Sequence, residues 1–273
     1  MPQSDVSQKG SPTGSNRAGV ALATSGKGVA AAASPSPTFS PLYRQIKSLL
    51  LQRLESGEWR PGEAIPSESE LAVRFNVSQG TVRKAIDEMA AENLLLRRQG
   101  KGTFVASHDD PRAFFRFLRL VPLAGGIEQA QSVPLECWRA KAGPEVARML
   151  ELNIGDQIII VRRVLEFAGK PVVVDEIYLP GSIFGTVTLD MLRDFQGSLY
   201  SFFENQFGVR MIRAEERLRA VPADRSSAEL LNVAEGSPLL SVERVSFSYA
   251  DKPVVWRRGL YSTAEHCYFN ELG

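Results

Sequence analysis

The sequence predicts an α+β protein in two folded parts: a short helical part closed by a two-stranded hairpin, then a longer part that is a mostly antiparallel sheet with inserted helices. Three observations lead there. Between Ser67 and Val105 the apolar spacing changes from the helical 3.6 to short strands flanking a Gly-rich turn. From Ala113 onward, β runs alternate with turn signals and short helical stretches. Residues 1–39 are Ser, Gly, Ala, Pro and Thr with scattered charges, a composition that cannot bury enough apolar surface to offset its ordering entropy, so a disordered tail is expected there.

Bulk properties set limits. At 273 residues the chain has room for two domains and a tail, and 44% hydrophobic content supplies their cores. The formal net charge of +1 selects no partner class. Cys137 and Cys267 stand in no motif and read as reduced thiols, and the two histidines, His108 and His266, are too isolated for a His-based metal site. No apolar run is long enough to span a bilayer, and the N-terminus has no signal-peptide core. A cytoplasmic protein without cofactor, metal or membrane partner is expected.

The first helix starts at Ser40-Pro41, serine as N-cap and proline at the first helical position, and Gly57 ends it. Leu42, Ile46, Leu49, Leu50 and Leu54 give it an apolar face, and Trp59 is expected in the core. The second helix opens with Ser67 and Glu70 at capping-box spacing, and Asn76 suits a left-handed stop. Ser78 caps the third, whose buried stripe is Val82, Ile86 and Met89. That stripe leaves Gln79, Gly80, Thr81, Arg83 and Lys84 near the exposed start. This is helix-turn-helix geometry, in which the start of the second helix of the pair enters the DNA major groove. Strands Leu94–Arg98 and Thr103–Val105 flank a tip of Gly100, Lys101 and Gly102, which suits contact with a phosphate or the minor groove.

These segments resemble the winged helix of GntR-type bacterial transcription regulators. The matching pieces are Leu42-Tyr43-Arg44-Gln45-Ile46, Gly57-x-Trp59-x-Pro61-Gly62, Ile65-Pro66-Ser67-Glu68, Glu70-Leu71-Ala72, Val77-Ser78, Thr81-Val82-Arg83-x-Ala85 and Gly100-x-Gly102-Thr103-Phe104-Val105. The resemblance assigns residues 40–106 to a DNA-binding domain. Its expected contact set is Arg44, Ser67, Ser69, Ser78, Gln79, Gly80, Thr81, Arg83, Lys84, Gly100 and Lys101. Gln79 departs from the arginine frequent at that position, and Gln prefers adenine where Arg prefers guanine. A plain surface charge is the alternative for Arg83 and Lys84.

Residues 107–112 read as a solvated linker, and His108-Asp109-Asp110 within it as polar linker residues rather than a metal site. The longer part, 113–273, then runs in order: strand 114–121, strand Pro134–Lys141, helix Pro144–Leu150, strand Gln157–Phe167, a hairpin turn at Ala168-Gly169-Lys170, and strand Pro171–Tyr178. A helical stretch over 188–207, strand Arg213–Ala220, helix Asp224–Leu231 and a hairpin of Leu239–Tyr249 with Val254–Ser262 complete it. The helix-to-strand unit occurs twice, at Val146–Ile160 and Ala228–Val242, which predicts a pseudo-symmetric sheet.

That order resembles the UTRA ligand-sensing domain of the HutC branch of the same family, a chorismate-lyase-like fold. The features are Gly155-Asp156, Arg163 with Pro171, Tyr178-Leu179-Pro180, Ser198-Leu199-Tyr200, Leu231-x-Val233-x-x-Gly236-x-Pro238-Leu239-Leu240 and Lys252-Pro253-Val254. The resemblance implies a small effector bound by Arg163, Asp175, Tyr200, Arg257 and Tyr261. Leu165 stands where relatives often place a second arginine, which weakens the expectation of a phosphorylated sugar. The alternative for Arg163 and Asp175 is a structural ion pair across the hairpin. The implied protein is a homodimeric repressor that leaves a near-palindromic double-stranded operator when a small polar or anionic metabolite binds. The alternatives are an enzyme using the chorismate-lyase-like domain, for which no nucleophile–base pair is visible, and a DNA binder with no effector.

Overall fold

A computed structural model describes residues 40–108, 118–126 and 128–270. The expected tail, most of the linker, and Phe114–Phe117 of the first predicted sensor strand lie outside the described residues.

The N-terminal elements are α1 (Leu42–Glu55), α2 (Glu68–Phe75), α3 (Gln79–Ala91), β1 (Leu95–Arg98) and β2 (Gly102–Val105). Local chemistry sets their ends. The Ser67 side chain accepts from the Glu70 amide while Glu70 accepts from the Ser67 amide, a complete capping box. Asn76 closes α2 in the left-handed region at φ 52°. The Ser78 hydroxyl accepts from the Thr81 amide and opens α3. The start of α1 differs from expectation by one step: Pro41 occupies the N-cap, and no side chain caps the helix.

One core holds this part together. Ile46, Leu50 and Leu54 of α1 meet Leu71 of α2, Val82, Ile86 and Met89 of α3, Trp59, and Leu95 and Val105 of the wing. Leu42 and Leu49 do not join it; they are 50% and 41% exposed. The 46-50-54 row forms the buried face of α1. Leu42 precedes the packed turns, and Leu49 lies to one side of that row.

The sensor part is a six-stranded antiparallel sheet, flanked by a two-stranded ribbon of β3 (Leu120–Pro122) and β10 (His266–Tyr268). In chain order the main elements are β4 (Ala130–Lys141), α4 (Pro144–Leu150), β5 (Gln157–Phe167), β6 (Lys170–Pro180), α5 (Gly181–Phe184), α6 (Leu189–Asp194) and α7 (Leu199–Phe207). Then follow β7 (Arg213–Pro222), α8 (Arg225–Leu231), β8 (Pro238–Phe247) and β9 (Pro253–Ser262). Strand order is β4-β5-β6-β9-β8-β7. The predicted pseudo-symmetry is visible in it: β4-α4-β5-β6 and β7-α8-β8-β9 are equivalent halves, meeting at the β6–β9 pair. Helix α4 packs on β9 and α8 on β6, each crossing to the other half. Both helices stop on a left-handed residue, Glu151 and Asn232.

One expectation is corrected, and one pairing is new. The helical stretch over 188–207 is two helices, because Phe195 leaves α6 in an extended conformation, Gly197 turns at φ 147°, and the Ser198 hydroxyl accepts from the Ser201 amide to start α7. The pairing of β3 with β10 has no local signature, since each strand is three residues long and gains its partner only from the far end of the chain. The β5–β6 turn is as expected, with Ala168 and Gly169 both at positive φ, matching the twist of the strands they join. No helix among the described residues is long and apolar enough to cross a membrane.

Candidate DNA interface and effector cavity

The start of α3 presents Gln79, Gly80, Arg83 and Lys84 to solvent; Thr81 is half-buried. Packing Val82, Ala85, Ile86 and Met89 inward forces this, because the remaining positions of the first turns then face out. Two small polar groupings organise the surface. Glu68, at the start of α2, accepts from Arg83 Nε at 2.9 Å and from Arg97 of the wing at 3.0 Å, and Gln79 lies 3.4 Å from the same carboxylate. Arg83 and Arg97 hold that carboxyl below its ordinary value, although burial works the other way. The second grouping centres on Tyr43: the Lys84 ammonium sits 4.1 Å above its ring and Arg44 Nε donates to its hydroxyl at 3.2 Å. Ser67 and Ser69 share a hydrogen bond at 3.0 Å beside the capping box. At the wing tip Gly100, Lys101 and Gly102 are exposed, both glycines at positive φ.

Gly80 stands apart. A Cβ there would meet nothing closer than the Ser78 hydroxyl at 3.8 Å, and its φ is not in the left-handed region. Nothing within the chain requires glycine. Glycine inside a helix costs about 1 kcal/mol relative to alanine. A partner that approaches the backbone closely would give it a use.

In the sensor, a cavity of about 70 Å³ opens beside the sheet and shares its wall with an outer cleft of about 700 Å³. Arg163, Tyr200, Arg244, Arg257, Ser132 and His108 line the inner chamber, with Leu165, Ile177, Leu199 and Val255 as its apolar walls. Of the five residues expected here, Arg163, Tyr200 and Arg257 face the cavity. Asp175 and Tyr261 are fully buried behind it.

Asp175 is the pivot. It accepts from Arg163 Nε at 3.0 Å and from Arg257 Nε at 2.6 Å, and Arg257 also donates to the Tyr261 hydroxyl. The ion pair across the hairpin is therefore present, and Arg163 still lines the cavity, where it also donates to Ser132 at 3.2 Å. Gly259 lets these groups cross: a Cβ there would stand 2.8 Å from Asp175 Oδ1 and 2.7 Å from the Tyr261 ring. Arg244 is paired with Glu216, which also accepts from Tyr268, and Arg244 donates to the Tyr200 hydroxyl at 3.3 Å.

Charge in this cluster is unevenly matched. Among the described residues, three buried guanidiniums face two carboxylates, Asp175 and Glu216. Burial pushes Arg163 below its ordinary value; Asp175 opposes the shift and Arg257 reinforces it. Burial disfavours the charged forms of Arg257 and Arg244 as well, yet Asp175 for the first and Tyr200 and Tyr261 for the second carry both above their ordinary values. Burial would raise the Tyr200 phenol, but Arg244 and Arg257 pull it below. Such a cavity suits an anion.

The comparisons with known proteins accord with this architecture. The model of the UTRA domain matches residues 128–266, more than half of the chain, and that of the bacterial regulatory proteins of the gntR family matches 42–105. The chain belongs to the GntR-type regulators that carry a UTRA domain. Among curated relatives, the fructoselysine utilization operon transcriptional repressor of Shigella flexneri is 29% identical over 78% of this chain and 87% of its own. The histidine utilization repressor of Pseudomonas putida is 28% identical over 83% and 90%. The ligand-binding domain of a GntR-family regulator from Bordetella bronchiseptica is 46% identical, covers 58% of this chain and 98% of its own, and superposes with a TM-score of 0.57. YydK from Bacillus subtilis, 19% identical over 86% of this chain and 100% of its own with a TM-score of 0.52, shares the fold. This family regulates transcription; it is not an enzyme family.

Arg244, Ser132 and His108 were not expected at the regulator's cavity. Arg244 sits in an alternating strand whose two faces look alike in sequence. His108 sits in a polar run that reads as solvated linker, yet it is buried against α7. No local signal marks either one.

Proposed function

We propose that the regulator is a repressor that binds a near-palindromic double-stranded operator as a homodimer in the bacterial cytoplasm and leaves it when a small anionic metabolite enters the sensor cavity. What carries the reading is the buried arginine cluster, which brings the guanidiniums of Arg163, Arg244 and Arg257 to the wall of one cavity. An incoming carboxylate or phosphate would meet these donors, and the preferred partner is Arg163, which lines both the cavity and the adjoining cleft. Relatives are named for fructoselysine, histidine and mannosyl-D-glycerate, three different chemistries, so the effector is argued from this cavity and not from theirs. Its apolar walls favour a compact acid with an apolar body. On the DNA side, Arg83, Gln79, Thr81 and Gly80 are assigned to the major groove, Arg44, Ser67, Ser69, Ser78 and Lys84 to the flanking backbone, and Gly100-Lys101 to the wing contact. Arg83 and Arg97 then exchange the Glu68 carboxylate for DNA acceptors on binding.

The test has two stages. Duplexes are selected from a random pool by the purified protein, and a panel of carboxylates and phosphates is screened by thermal shift. Expected are an enriched two-fold motif and a stabilising acid that also releases the selected duplex at the same concentrations. Enrichment of no duplex, or a stabilising acid that leaves the duplex bound, would overturn the repressor reading.

A further inference from the structure

We propose that His108, on the segment joining the DNA-reading domain to the sensor, is the positioning residue through which cavity and winged helix act on each other; this rests on the two-domain reading above. His108 is 7% exposed, and its amide, carbonyl and ring Nε2 are each held in the sensor. Its amide donates to Glu204 at 2.6 Å, its carbonyl accepts from the Ser201 hydroxyl at 2.9 Å, and its ring Nε2 accepts from the Met211 amide at 3.2 Å. The first two partners lie on α7 and the third just beyond it. The ring also lines the cavity and lies 5.6 Å from that of Tyr200, the α7 residue whose hydroxyl meets Arg244.

The other end of the connection starts one residue from Met211. Arg210 is buried and donates to the Asn93 carbonyl at 2.8 Å and the Leu94 carbonyl at 3.1 Å. Those carbonyls lie where α3 ends and the wing begins, a position that favours a cation. Leu94 also accepts from the amide of Ala106, at the start of the linker. Ile212 and Tyr249 pack against the winged-helix core beside this grip. One continuous set of contacts therefore runs from the cavity wall through His108 and Met211-Arg210 to the base of the recognition helix. A displacement of α7 by a ligand against Tyr200 moves His108 and the Arg210 grip together, because closely packed contacts do not stretch independently.

Linkage makes the coupling readable from the DNA side, without knowledge of the effector. The probe is a duplex selected from a random pool by the full-length wild-type protein, and the readout is amide hydrogen exchange of residues 199–207 with and without saturating duplex. In wild type the duplex is expected to change exchange there about fivefold or more. His108→Gln, whose amide oxygen can take the Met211 hydrogen bond, should keep the change. His108→Ala and Arg210→Met should bind the duplex and lose it. Absence of the change in wild type, or its full retention in His108→Ala, overturns the inference. If His108→Ala melts before the measurement, full retention in Arg210→Met has the same force. Failure of the wild-type protein to enrich any duplex would instead overturn the functional reading, and this inference with it.

Discussion

Gly80 is the position at which a residue's part in the fold can be told apart from the part proposed for it in DNA binding. Gly80→Ala should raise the melting temperature, because a helix gains about 0.5–1 kcal/mol from that exchange and the added methyl meets nothing closer than 3.8 Å. The same variant should bind its selected duplex more weakly, as measured by titration; equal or tighter binding would remove Gly80 from the interface. Arg83→Ala should lower affinity and reduce the salt slope by about 1, with the sensor's thermal stabilisation by an acid unchanged. In the sensor, Arg163 and Asp175 should behave differently under denaturant. Asp175→Ala leaves two buried guanidiniums without their shared carboxylate and should cost about 3–5 kcal/mol. Arg163→Ala leaves Asp175 still bonded to Arg257, so it should cost less while abolishing the response to an acid. An unaltered response would make Arg163 purely structural.

At the scale of elements, short side-chain caps open α2, α3, α6, α7 and α8. Asp224 caps α8 by accepting from the Ser227 amide at 2.7 Å. The Ser227 hydroxyl and amide hold its carboxyl below the ordinary value near 3.8. The depressed folded value gives the sign: the contribution is complete above the unfolded value and fades as pH falls through the folded one. Asp224→Ala should therefore cost about 0.5–2 kcal/mol near neutral pH, and denaturation followed from pH 7 to pH 2 should show the deficit shrinking at the acid end. Legibility follows the same range. Ser67 with Glu70, Asn76, Ser78 with Thr81, and Ala168-Gly169 act over one to four residues, so their chemistry is complete within a local window. The break between α6 and α7 was less legible, because Phe195 reads as part of the apolar helical stripe.

At the scale of the whole molecule, the sheet's two halves meet at β6–β9 and leave β4 and β7 as edges. The β7 edge mixes charges of both signs, Arg213, Glu215, Glu216, Arg217 and Arg219, which discourages unspecific strand addition. The proposed dimer is tested by light scattering of the intact protein, with twice the chain mass as the expected result and a monomer at operator-binding concentrations as the contrary one.

The sequence by itself determined the two-part α+β architecture, the caps of α2 and α3, the hairpin turns, the duplicated helix-to-strand unit and the exposed start of α3. Each is written in spacing and turn chemistry that neighbouring residues complete among themselves. Only the tertiary structure decided the sensor site. Asp175 meets Arg163 from 12 residues away and Arg257 from 82, Arg244 reaches Tyr200 across 44, and His108 reaches Met211 across 103. Alternation along a strand tells which residues share a face. It does not tell which strands will lie side by side, and strand pairing is what brings three arginines to one cavity.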